Sequence, residues 1–348
     1  MKLAEKMSGI STNVNILRFL AAILVIFSHS FYVANSQEDP FSIFCGRQTN
    51  FGGIAVAVFF FLSGFYVTKS LYKRDNVKEY LYKRCYRIFP QLWIVVFLSV
   101  FLLGPIFTIY PSEQYFLNRN TYLYLLNGIL LPTHNLPGVF ENNIYDASIN
   151  GALWTLPVEF LAYCVLAVVL LISKHVLRKE KLQKYFHIIC TVLLLIVFVI
   201  VDVFVKSDFL ITIVRPLVIF FVGVLYCDYA EKIKLNIPVA CGMILIMLFC
   251  CKMAFLSYAM MLCFPYIIIT FALGTKQIKF DKKIMNVSYE MYLLGWPIQQ
   301  SIVYCFGGSM NPYLNCLIVL PIDIVLAYVL FVFVEKVERR NSKCLKFR

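Results

Sequence analysis

Residues 15–31 read "NILRFLAAILVIFSHSF". The run is almost wholly apolar and close to the ~20 residues a helix needs to cross a bilayer, yet it holds Arg18 and His29. An arginine at mid-helix in lipid costs roughly 2.5–3.5 kcal/mol on insertion scales, so ionisable side chains there face the bundle interior and mark function by default. Eleven steps of about 100° make three turns plus about 20°, which puts both side chains on one face, about 16 Å apart along the axis. An arginine suits a phosphate, which it grips bidentately. A histidine suits proton transfer near neutral pH. One helical stripe therefore links an anion-binding group to a titratable one.

The rest of the chain agrees with a membrane reading. Of 348 residues, 61% are hydrophobic and 15% charged, with mean hydropathy +0.77. Soluble domains sit at about 45–50% apolar and about 25% charged. The net charge of +13 lies in short loops between apolar runs, which argues for a topology signal and against nucleic-acid binding. The chain has 12 cysteines. Most, among them Cys164, Cys190, Cys241, Cys250 and Cys263, fall inside apolar runs, and no C-x-x-C pair occurs. They read as small core residues, and no metal or permanently bound cofactor is expected.

Ten spans are expected, at 14–34, 51–70, 88–110, 152–173, 187–205, 210–228, 237–254, 257–273, 285–306 and 312–334. The seventh and eighth are the weakest, because Lys252 and the joint at Phe255 and Leu256 leave little room for a loop. With a cytoplasmic N-terminus, the inner segments hold 26 of the 32 lysines and arginines, and the outer ones hold Arg47, Arg119, Lys206 and Lys252. That asymmetry places both termini in the cytoplasm. The first span is too long and too charged for a cleaved leader. The chain reads as an all-α bundle forming one membrane domain over 1–348.

Besides Arg18 and His29, the spans contain Glu159, Arg215, Glu290 and Asp323. Glu290 reads equally as a helix-packing contact, and for Asp323 the packing reading is favoured, since one acid can hydrogen-bond a neighbouring helix. Glu159 falls at about the depth of His29, and two readings are open: it pairs with the imidazole, or it bonds a local hydroxyl such as Thr155. In "YLYKRCYRIFP", residues 80–90, Arg84 and Arg87 share a face at i, i+3 and open on the same side as Arg18. The longest outer loop, 111–151, is rich in Asn, Pro and Tyr. His134, His175 and His187 read as ordinary surface histidines.

These residues resemble the acyltransferase-3 family of integral-membrane O-acyltransferases. The first span is similar to that family's R-x10-H helix. "VFFFLSGFYVTKSL", residues 58–71, resembles its F-F-x-L-S-G-F span, with Ser63 and Gly64 in place. "KRCYRIFP" resembles its R-x-x-R-x-x-P segment on Arg84 and Arg87. "LWTLPVEFLAY" is similar to its L-W-S-L-x-V-E-x-x-x-Y on Trp154, Glu159 and Tyr163. "SYEMYLLGWPI" resembles its S-Y-x-x-Y-L-x-H-x-P span on Ser288, Tyr289, Tyr292 and Pro297, with Gly295 where the family often has histidine. A short basic tail follows the tenth span, as in the stand-alone type.

The resemblance implies transfer of an acyl group, usually acetyl, from cytoplasmic acyl-CoA as co-substrate to a hydroxyl of a cell-surface glycan or glycolipid, at a bacterial plasma membrane. On that reading Arg18, Arg84 and Arg87 hold the CoA phosphates. His29 deprotonates the acceptor or carries the acyl group, and Glu159 orients and charge-stabilises it. Ser63, Trp154, Tyr163, Arg215, Tyr289 and Tyr292 line the substrate path. The alternative is a transporter or flippase for a polar or glycolipid substrate. It too would keep buried charges, but no inverted repeat is visible.

Overall fold

A computed structural model describes residues 2–7, 11–74, 76–145, 148–172, 180–253, 255–279 and 282–345. His175 lies outside the described residues. Among those described there is no β-sheet, only three isolated bridges. The long helices are α1 (Thr12–Asn35), α2 (Phe51–Arg74), α3 (Val77–Leu98), α4 (Thr155–Ile172), α5 (Glu180–Ile200), α6 (Asp208–Asp228), α7 (Ile237–Cys250), α10 (Ser288–Cys305) and α11 (Pro312–Leu345), with short α8 (Leu256–Leu262) and α9 (Phe264–Ile269) between. Single π turns extend α3 over Ser99–Leu103, α5 over Val201–Val205 and α9 over Thr270–Gly274.

Among the described residues, seven helices are long and apolar enough to cross a membrane. An eighth span exists if Leu256–Leu262 and Phe264–Gly274, bent by 43°, count as one. Cys263 and Pro265 mark that bend. The other two expected spans form helices of a different character. The 14 residues of α7 rise about 21 Å, short of the ~30 Å hydrocarbon core. The 18 residues of α10 include Glu290, Gln299 and Gln300, which lower its hydropathy. The helix that carries the third expected span starts well before residue 88, since α3 is already helical at Val77.

The outward faces suit lipid. On α5, Leu193, Ile196, Val197 and Ile200 are exposed, which in water would be a liability and in a bilayer is the solvated face. The long loop over 111–151 carries its own order, with short helices at Ser112–Leu117 and Arg119–Leu123.

The chain divides into two compact units. The first comprises Met1–Ala21, Pro40–Arg84 and Val158–Lys282, and the second Ala22–Asp39, Cys85–Pro157 and Lys283–Arg348. In the first unit, α2 and α6 form the most extensive helix pair. Glycines make it possible. A methyl on Gly64 would stand 2.0 Å from the Phe220 carbonyl oxygen, and one on Gly223 would stand 2.4 Å from that of Phe61. The two backbones touch because neither position has a side chain.

In the second unit, Pro297 sits inside α10. Proline has no N–H to give the carbonyl four residues back, so Leu293 is left without its helical partner. Asn150 Nδ2 donates to that carbonyl at 2.8 Å. The same loop also binds α10 through Tyr292, whose hydroxyl donates to the Ala152 carbonyl at 2.7 Å and lies 2.6 Å from Thr155 Oγ1. Asn143 Nδ2 donates to Gln300 Oε1 at 2.7 Å.

Candidate active site

In the first unit the structure gathers four of the motif residues. Ser63 Oγ, from α2, donates to Glu159 Oε1, from α4, at 3.0 Å. The Tyr163 hydroxyl, one turn beyond Glu159, donates to the same oxygen. The two hydroxyls lie 2.7 Å apart. Glu159 is thereby fixed by two donors in an apolar bundle, the kind of satisfaction a membrane-buried carboxylate requires. Of its two readings, a local hydroxyl partner is what this unit displays, but the partners are Ser63 and Tyr163. Thr155 is engaged with Tyr292.

Arg84, about two turns into α3, closes the group. Its guanidinium carbon stands 5.8 Å from the centre of the Tyr163 ring, within the range of a cation–π contact. Its Nε is buried with no partner among the described residues. Tyr80, one turn earlier on α3, donates to the Tyr163 carbonyl at 3.2 Å and so anchors the helix that presents Arg84. Arg18 belongs to a neighbouring cation–aromatic group. It lies 5.9 Å from the Tyr66 ring centre, and Lys69 Nζ lies 5.5 Å from the same ring. Lys69 also donates to the Met7 carbonyl.

The second unit carries His29. Its ring meets Trp296 edge to face, with centroids 4.7 Å apart and planes at 70°. Trp296 is 7% exposed and is itself fixed. Its Nε1 donates to the Ser148 carbonyl at 3.1 Å, and Gly151 leaves the space its ring occupies, since a methyl there would stand 2.6 Å from it. The C-terminal half of α1 is registered by amides. Gln299 Nε2 donates to the Ile26 carbonyl at 2.7 Å and to Ser30 Oγ at 2.8 Å, and Ser30 Oγ donates to Asn315 Oδ1 at 3.0 Å. Gly295 lies where α1 and α10 approach, and a methyl there would stand 3.1 Å from Ile26.

Arg87 is exposed, with its guanidinium 5.9 Å from the Tyr289 ring. The Tyr289 hydroxyl donates to the Ile88 carbonyl at 2.9 Å. Trp154 is half-buried in the turn before α4. Gln91 Nε2 donates to Glu290 Oε1 at 3.4 Å, a packing contact between helices. Asp323 is fully buried, and neither carboxyl oxygen has a partner among the described residues.

One expectation is corrected outright. His187 is not a surface residue. It is 0% exposed, and its Nδ1 lies 2.7 Å from Asp228 Oδ2, while the Tyr72 hydroxyl donates to Asp228 Oδ1. His134 is exposed as expected. The sequence reading also passed over Trp296, Tyr66 and Tyr80. Trp296 adjoins Gly295, and that pairing of a bulky and an absent side chain was the available signal.

Comparison with known proteins shows the family of this chain. A family model described as an acyltransferase domain matches residues 11–334, a stretch that includes every candidate residue. A curated relative, the "O-acetyl transferase" of Shigella phage Sf6, is 33% identical over 151 residues, covering 43% of each chain. The "Nodulation protein 10" of Rhizobium leguminosarum bv. viciae is 31% identical over 170 residues, covering 48% of this chain and 46% of that protein. Each match thus spans a little under half of the relative's length. No solved structure matches.

Proposed function

Because the chain belongs to the acyltransferase-3 family, we propose that it transfers an acyl group, acetyl in the simplest case, from acyl-CoA to a hydroxyl of a cell-surface glycan or glycolipid. His29 takes the hydroxyl proton as the acceptor oxygen attacks the thioester carbonyl. The carbon–sulfur bond breaks, and CoA leaves as a thiolate that recovers a proton. An ester and free CoA are the products. Arg84 and Arg87 take the CoA phosphates, with Arg18 as a third cation, in keeping with arginine's match to phosphate geometry. Glu159 supplies a fixed negative charge. The lysine and arginine distribution supports an orientation with both termini in the cytoplasm of a bacterial cell, at its plasma membrane.

The observation that carries the proposal is the group of Ser63, Arg84, Glu159 and Tyr163. Three helices bring one carboxylate, two hydroxyls and a guanidinium together in an apolar interior. A merely structural subunit has no use for so costly an arrangement.

The test is reconstitution in liposomes with radiolabelled acetyl-CoA and a panel of glycans and lipid-linked sugars. Label should move to the acceptor, and the His29→Ala variant should insert normally and lose transfer. Full transfer by that variant would remove His29 from the chemistry.

A further inference from the structure

In the proposed reaction His29 holds the acceptor proton as an imidazolium until the departing CoA thiolate recovers it. A cation inside a bundle is costly unless something answers its charge. The carboxylate expected to do so, Glu159, is committed to Ser63 and Tyr163 in the first unit. That unit also keeps Arg215, which donates to the Gln48 carbonyl at 3.2 Å and to Ser257 Oγ at 3.3 Å. The hydroxyls on either side of His29 are committed too. Ser28 Oγ donates to Asp39 Oδ2 at 2.5 Å, and Ser30 Oγ to Asn315 Oδ1 at 3.0 Å. Among the described residues no hydrogen bond or ion pair holds the His29 ring. What it meets is Trp296, with ring centres 4.7 Å apart.

That separation lies within the ~6 Å over which a cation is drawn to an aromatic face, and indole offers the strongest such face. The indole is held independently of His29. Its Nε1 donates to the Ser148 carbonyl at 3.1 Å. A methyl on Gly151 would lie 2.6, 2.6 and 3.0 Å from three successive ring atoms, Cη2, Cζ2 and Cε2. Distances so nearly equal belong to a point above the ring and not to one beyond its rim, so Gly151 covers one face. The opposite face is left for the imidazole. The surroundings are apolar: Trp296 shares a cluster with Val33, Ala34 and Val303, and Tyr145 packs against it. A cation–aromatic contact gains strength when water is excluded in this way. His29 is itself half-buried, so part of its ring remains for the acceptor.

We propose that Trp296 is a positioning residue for the proton transfer: it turns its uncovered face to His29 and stabilises the imidazolium that forms there. The inference rests on the acyl-transfer reading and adds to it that the partner of the imidazolium is an uncharged ring. Trp296 then acts when the proton has moved, so its effect belongs in kcat and not in the binding of acyl-CoA.

Fluorine is close to hydrogen in size and drains electron density from an aromatic face. Mono-, di- and trifluorotryptophan placed at position 296 by nonsense suppression therefore keep the shape and weaken the attraction stepwise. In the liposome assay log kcat should fall with each fluorine, to a total of about thirtyfold, the worth of a contact of this kind away from water. The acyl-CoA KM should stay within about twofold. Trp296→Phe should keep more turnover than Trp296→Leu. The geometry is read without catalysis, by NMR of the full chain in maltoside micelles with ring-labelled histidine. A ring over an indole face is shifted upfield by the ring current, and one beside its rim is shifted downfield. The His29 signal, identified by its loss in His29→Gln, should stand upfield and lose that displacement in Trp296→Leu. The proposal is overturned by a downfield signal, by turnover that is flat across the fluorine series, or by Asp146→Asn lowering turnover further than Trp296→Leu, which would give the charge to a carboxylate. Transfer with a flat series refutes the role of Trp296 alone. No transfer to any glycan by the unsubstituted chain refutes the acyl-transfer reading, and this inference with it, even where the upfield signal shows the contact.

Discussion

Replacing Gly64 by alanine adds one methyl group at the place where α2 touches α6. That methyl would lie 2.0 Å from the Phe220 carbonyl oxygen, whereas a carbon–oxygen contact settles near 3.3 Å. The obstacle is backbone, so no rotamer change relieves it, and the helices must part by about 1.3 Å. A gap of that size forfeits about half of the dispersion energy across it. Taking about 40 atom pairs at about 0.15 kcal/mol, the loss is about 3 kcal/mol. Alanine's better helix propensity returns at most about 1 kcal/mol, so the expected net is about 2 kcal/mol, within the usual range for an overpacked core. Ser63 precedes Gly64, so the same displacement should stretch its 3.0 Å bond to Glu159 and lower turnover. Unfolding titrations in mixed micelles with sodium dodecyl sulfate, run beside the transfer assay, measure both effects. A loss of stability below about 0.5 kcal/mol with full turnover would show that the close helix contact does not exist as described.

His29→Ala should reduce kcat by about 10²–10⁴, the usual worth of a positioned acid–base group, and equal turnover in the variant would refute its role. Arg84→Ala and Arg87→Ala should each raise the acyl-CoA KM by about tenfold or more and change saturated turnover less; unchanged binding of CoA in both would end the phosphate cradle. Glu159→Gln keeps the shape and removes the charge, so turnover should fall while stability changes little, and an unimpaired variant would detach Glu159 from the chemistry. Asn150→Leu leaves the Leu293 carbonyl unpaired in the bundle, and a destabilisation of about 1–3 kcal/mol is expected by the same unfolding assay.

What could be read from the sequence was what depends on distance along one helix. Arg18 and His29 share a face by arithmetic, and α1 is unbroken from Thr12 to Asn35. Tyr163 lies four residues from Glu159, so their pairing was within reach of the spacing. Ser63 was available only through the motif, because 96 positions separate it from Glu159. His187 was misread for the same reason. It stands near the basic segment that closes the loop after α4, and the partner that buries it, Asp228, is 41 residues away. The span boundaries were least legible between 237 and 273. Lys252 marks a weak joint after α7, but nothing in hydropathy reveals that the chain bends beside Cys263. The adjacency of Gly295 and Trp296 was legible, but the indole's place beside His29 was not, because it depends on an absence elsewhere, the missing side chain of Gly151.

The trio of Ser30, Gln299 and Asn315 has a bearing on how this protein can vary. Lipid offers no water to replace a lost partner, so an amide stripped of its mate cannot simply turn outward. Sliding α1 by one residue against α10 would break the bonds to Ile26 and Ser30 together. The three positions therefore behave as a single lock: a change at one calls for a matching change at another, and a redesign of the imidazole-bearing helix has to begin there.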